Sequence, residues 1–120
     1  MLFRSLQGGY FGNALQAASY GGHQETVKLL IDKGADVNAH RGHYGNTYRG
    51  HYGSALQAAS ASYYPSDEIV KLLIDKGADV NAPGGVHGNA LQAASDCGNH
   101  SIVNLLVNHG AELPAASSDV

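Results

Sequence analysis

Seven histidines, ten acidic side chains and a single cysteine are the groups in this 120-residue chain that could bind a metal ion or move a proton. His40, His43 and His51 fall within one short stretch. A zinc site would need about four N, S or O ligands converging at about 2 Å. No cysteine pair accompanies these histidines, and "RGHYGN" at 41–46 returns eight residues later as "RGHYGS" at 49–54. A local duplication therefore accounts for both His43 and His51, and the histidines read as solvated loop residues. Nucleophilic catalysis would need a thiol or hydroxyl, a base and an orienting group converging in a pocket. Cys97 is the only thiol, and Asp36 and Asp79 recur in identical surroundings, as turn residues do. The glycine clusters "GGYFG" (8–12) and "GGVHG" (84–88) lack the Gly-Lys-Ser/Thr ending and preceding strand of a phosphate loop. The chain is read as non-catalytic, with no metal and no cofactor.

The elements that position these residues come from repetition. "GNALQAAS" at 12–19 recurs as "GSALQAAS" at 53–60 and again at 88–95. Each copy leads into a second block: "TVKLLIDKGADVNA" (26–39), "IVKLLIDKGADVNA" (69–82) and "IVNLLVNHGAEL" (102–113). The glycine closing each second block, at Gly34, Gly77 and Gly110, is spaced by 43 and then 33 residues. A 33-residue period with an eight-residue and a two-residue insertion in the middle unit reproduces the spacing. One unit written three times is a stack of modules that share a core.

Within a unit, Asn13, Ser54 and Asn89 are suited to cap the first helix, since their side-chain oxygens can accept from an unpaired helical N–H. Leu15 and Ala18 share one face of that helix, small alanines allow close approach, and Gly21–Gly22 ends it. The second helix opens near 24–26 and carries Val27, Leu30 and Ile31 on one face, with Leu29 widening the stripe. Lys28 and Asp32 take the polar side. Gly34 follows its last turn, where a left-handed residue is wanted. Asn- and Gly-rich segments then form a projecting turn. Leu72 is read as a core position, so that Leu72→Ala would cost about 2–5 kcal/mol.

This unit resembles the ankyrin repeat. The match is close at 29–39 and 72–82, and Gly22–His23 falls at the family's loop position. Asn13, Ala14, Leu15 and Gln16 stand where the family usually has Thr, Pro, Leu and His, and Ser19 replaces a second alanine. Gln16, Gln57 and Gln92 are suited to supply the buried polar contact otherwise made by that histidine. The "YGNALQAAS" variant is similar to arrays of NACHT-type signalling proteins of filamentous fungi. The resemblance implies an all-α solenoid of three helix–loop–helix units with projecting β-turns. It spans residues 8–116 in approximate units 8–40, 41–83 and 84–116, with short tails at 1–7 and 117–120.

Composition is consistent with an intracellular interaction module. Net charge is −3, and Lys28, Lys33, Lys71 and Lys76 sit beside Asp32, Asp36, Asp75 and Asp79. That is a solvated mixed-charge face, not a nucleic-acid footprint. One cysteine fits a reducing compartment, and no apolar run approaches the roughly 18–20 residues that span a bilayer. Tyrosine placement is the functional lead. Tyr10, Tyr44, Tyr48 and Tyr52 fall in projecting turns or their insertion, and Tyr20, Tyr63 and Tyr64 where first helices end. Tyrosine offers large, fairly rigid contact area with a polar tip. The resemblance implies a binding side lined by turn tips and first-helix ends. The expected partner is a protein, met by His40, Tyr44, Tyr48, Arg49, Tyr63, Tyr64, Val86 and His87; neither nucleic acid nor membrane is expected. Apolar residues kept in the third unit (Ile102, Val103, Leu105, Leu106, Val107) raise two alternatives: end-to-end self-association, or a structural spacer cut from a longer multi-domain signalling protein.

Overall fold

A computed structural model describes residues 9–39, 54–83 and 88–113, and six helices occur among them. They are α1 (Gly9–Tyr20), α2 (Gln24–Asp32), α3 (Ala55–Ser60), α4 (Asp67–Asp75), α5 (Ala90–Asp96) and α6 (His100–Asn108). The first helices α1, α3 and α5 pack in one row, and the second helices α2, α4 and α6 form the other. Each unit is a helical pair, and the three pairs stack in chain order. The core runs between the rows: Leu15, Leu56 and Leu91 from the first, Val27, Ile69, Val70, Leu73, Ile102 and Leu106 from the second. Ala18, Ala59 and Ala94 are buried with them. Their small side chains let the short first helices lie against one another.

Two first helices begin as the sequence indicates. The Ser54 hydroxyl accepts from Gln57 N at 3.3 Å, while Gln57 Oε1 accepts from Ser54 N at 2.7 Å, a reciprocal capping box. Asn89 Oδ1 accepts from Gln92 N at 2.9 Å. The first unit departs from this pattern. α1 starts at Gly9, four residues before Asn13, so Asn13 lies inside the helix and is not its cap, and Tyr10 belongs to the helix rather than to a turn. Gly88, just before the third unit's cap, has φ 98° and breaks the chain direction there, whereas Gly12 continues the helix.

The second helices end alike. Gly34, Gly77 and Gly110 have φ of 100°, 100° and 93°, left-handed values that glycine adopts without a Cβ clash. Ala35 N donates to Leu30 O and Gly34 N to Ile31 O, the paired bonds of a Schellman ending. In the second and third units the second leucine of the pair, Leu73 or Leu106, is the core member, while Leu30 of the first unit is partly buried against the core. Leu73 is fully buried, Leu72 only half-buried, and Leu29 is 55 % exposed. The expectation placed on Leu72 therefore belongs to Leu73, because the first leucine of the pair points toward the edge of the stack.

Adjacent units are tied by amides. Asn38 Nδ2 donates to Gly77 O at 2.9 Å and its Oδ1 accepts from Asp79 N at 2.8 Å. Asn81 repeats the clamp on the third unit, to Gly110 O at 3.0 Å and from Glu112 N at 2.8 Å. Gln16 Nε2 donates to Ala39 O at 3.2 Å, and Gln57 Nε2 to Ala82 O at 3.1 Å, the buried polar contacts expected of them. Gln92 differs: it is half-buried and donates to Asp96 Oδ1 at 2.9 Å. The carbonyl matching Ala39 would belong to residue 115, outside the described residues.

Ser19 and Ser60 occupy the same repeat position with opposite satisfaction. The Ser60 hydroxyl donates to Leu56 O at 2.7 Å, whereas that of Ser19, also buried, has no hydrogen-bond partner among the described residues. An unpaired buried hydroxyl costs about 1–3 kcal/mol. Ser19→Ala is therefore expected to leave the protein more stable than Ser60→Ala by about 1 kcal/mol or more. Urea melts of the two variants measure the difference, and equal midpoints would contradict it.

Candidate functional site

The two-residue insertion of the middle unit lies between α3 and α4, in the segment Ser62–Pro65. Ser62 organises it. Its hydroxyl donates to Tyr20 O of the first unit and accepts from Tyr64 N at 2.8 Å, closing a local turn. From the third unit, Asn99 Nδ2 donates to Ser60 O at 2.8 Å and to Ser62 O at 3.4 Å. Pro65 leads to Ser66, whose hydroxyl accepts from Ile69 N at 3.2 Å and caps α4. Asp67 and Glu68 follow in the first helical turn, where carboxylates favour the positive helix end. Asp67 Oδ1 also accepts from the Ser101 hydroxyl at 2.9 Å. The loop is thus held by the units on both sides.

This scaffold presents aromatic rings to solvent. Tyr63 is 82 % exposed and Tyr64 67 %. Tyr20, at the end of α1, meets Tyr63 with ring centroids 6.4 Å apart and planes tilted by 55°, within the range of favourable aromatic pairs. Tyr64 leans back over the first unit: a Cβ built on Gly22 would lie 3.0 Å from Tyr64 Cβ and O. Gly22 also has φ 75°, so both its backbone and its neighbour require glycine. The corresponding Gly98 of the third unit faces open space.

Of the residues expected to meet a partner, Tyr63 and Tyr64 come together here, with Tyr20 as a third member. His40, Tyr44, Tyr48, Arg49, Val86 and His87 lie outside the described residues. The anchoring roles of Ser62 and Asn99 were not read from the sequence. Their signal was weak, since Asn99 stands where His23 and Ser66 stand in the other units. Among the described residues no three His, Cys, Asp or Glu side chains gather as a metal ion would require. His40, His43 and His51 are outside them. Cys97 is an exposed free thiol at the end of α5. No described helix is long and apolar enough to cross a membrane. The described residues here expose two tyrosine rings on a loop hydrogen-bonded to both neighbouring units.

Comparison with known proteins agrees with this geometry. A family model for ankyrin repeats in three copies matches residues 5–83 and again 42–117, nearly the whole chain. A protein of Monascus ruber named azaphilone pigments biosynthesis cluster protein L is 61 % identical over 33 residues. The shared segment covers 28 % of this chain and 7 % of that protein.

Proposed function

This chain belongs to the ankyrin-repeat family, and we propose that it is a non-catalytic module that binds a protein partner through first-helix ends and turn tips. Ankyrin repeats are generally protein–protein interaction modules. The observation that carries the finer reading is the Tyr20–Tyr63–Tyr64 cluster, two of whose rings are largely solvent-exposed on a loop anchored from both neighbouring units. A preordered aromatic surface loses little entropy when it is covered, and tyrosine is enriched among interface anchors. His40, Tyr44, Tyr48, Arg49, Val86 and His87 complete the proposed surface on the turn side. The 33 residues shared with the Monascus protein amount to one repeat and support the likeness of the unit alone.

The structural-spacer alternative draws on the stack's outer edges. Leu29 and Val107 are both more than half exposed, while their counterparts in units with a neighbour on that side are partly covered. The readings separate on one comparison. With Tyr63 and Tyr64 both changed to serine, the melting temperature is expected to hold, because exposed positions contribute about 0.5 kcal/mol or less. A protein retained by the intact chain from lysate of its source is expected to be lost. An unaltered set of retained proteins would remove the tyrosines from the interface.

A further inference from the structure

We propose that the tyrosine loop receives a cationic stretch of the protein partner, its arginine or lysine side chains laid over the rings of Tyr63 and Tyr64. The assignment rests on the interaction-module reading and adds the chemistry of the bound segment.

The argument is one of charge around an exposed aromatic surface. The three segments that join first to second helices line one side of the stack, unit after unit. Hydrogen bonds Ser62–Tyr20, Asn99–Ser60 and Ser101–Asp67 tie them together. In residues 20–25, 61–68 and 96–101 these segments carry Glu25, Asp67, Glu68 and Asp96, and neither lysine nor arginine. Glu25, Glu68 and Asp96 are exposed, and Asp67 is half-buried. Lys28 lines one cavity with Glu25 on the second helices, and Lys71 follows Glu68 by three residues, both outside the three segments.

An aromatic ring has a negative face that attracts a cation, and arginine also stacks its planar guanidinium on it. Carboxylates on the same three segments supply long-range attraction, and the exposed Glu25 and Glu68 can accept hydrogen bonds from a guanidinium or ammonium group. A phosphate-bearing partner, whether nucleic acid or anionic lipid, meets charge of its own sign here and is repelled. A purely apolar helix would need a greasy floor, and Ser62, Ser66, Gly98 and Asn99 do not provide one. The rings and the acids both select a positively charged segment.

The test is an NMR titration of the intact ¹⁵N-labelled chain at fixed ionic strength. The probes are an arginine-rich peptide and a glutamate-rich peptide of equal length. The arginine peptide is expected to shift the amides of Gly22, Tyr63, Tyr64 and Gly98, with affinity about tenfold above that of the glutamate peptide. Changing both tyrosines to serine preserves net charge and is expected to weaken binding about fivefold or more, at roughly two- to fivefold per exposed cation–π contact. Glu25→Gln with Glu68→Gln is expected to weaken it as well and to increase its tolerance of salt. The proposal is overturned if the peptides bind alike, if shifts spread equally over Asp32–Asp36 and Asp75–Asp79, or if the serine variant binds undiminished. Should the serine variant lose its captured protein while the two peptides bind alike, the module reading stands and the cationic assignment falls. If the captured set is also unchanged, both fall.

Discussion

Leu73→Ala is expected to cost about 2–5 kcal/mol, the range for removing a buried leucine side chain and leaving a cavity. Leu73 is 0 % exposed at the centre of the stack, in the helix that packs against both α2 and α6. Repeat arrays draw much of their stability from nearest-neighbour interfaces. A defect in the middle unit therefore weakens two interfaces at once, and the helical signal in circular dichroism should collapse at much lower urea. Leu29→Ala provides the internal control. Its side chain is 55 % exposed, so its cost should be a small fraction of that of Leu73→Ala. Comparable losses for the two substitutions would mean that the described core is wrong.

Gln57→Ala ranks second. The Gln57 side chain accepts from Ser54 N at 2.7 Å and donates to Ala82 O at 3.1 Å, joining the start of α3 to the segment after α4. Both partners are buried, and the mutation would leave an N–H and a carbonyl without those bonds. At about 1–3 kcal/mol for each unsatisfied group, with some relief from relaxation, the expected loss is about 2–4 kcal/mol. Gln92→Ala breaks only an exposed bond to Asp96 and should cost about 0.5 kcal/mol. Hydrogen exchange gives a second readout: the amide of Ser54 should lose protection in the first variant and keep it in the second. Retained protection in Gln57→Ala would show that the capping box does not depend on this side chain.

Much of this architecture was legible because its causes are local and repeat. The blocks set the number of units, the glycines after each second helix set their ends, and the caps at Ser54 and Asn89 follow from side-chain chemistry alone. Gln16 and Gln57 were expected as buried polar contacts through the resemblance, since they stand at the family's histidine position; Gln92, expected likewise, bonds to Asp96 instead. What escaped was non-local. Asn13 has the right chemistry for a cap, but a cap sits at a helix start, and α1 is already helical from Gly9. Leu72 and Leu73 are chemically identical neighbours, and only the stacking geometry chooses between them. Asn38 and Asn81 read as turn formers, yet each spends its amide on the following unit. Their recurrence at one spacing was the available hint. Tyr63 and Tyr64 were legible as members of an insertion, whereas the bonds from Ser62 and Asn99 that steady them join residues about 40 apart in the chain.

The asparagine clamps also bear on how such a chain can diversify. Asn38 grips the backbone of the next unit at Gly77 and Asp79 across 39 and 41 residues, and Asn81 makes the same clamp at Gly110 and Glu112 across only 29 and 31. The pitch of the scaffold is therefore set by fixed rungs, independent of how much polypeptide hangs between them. New recognition loops can be grafted, lengthened or rewritten in that span while the ladder beneath keeps its rise.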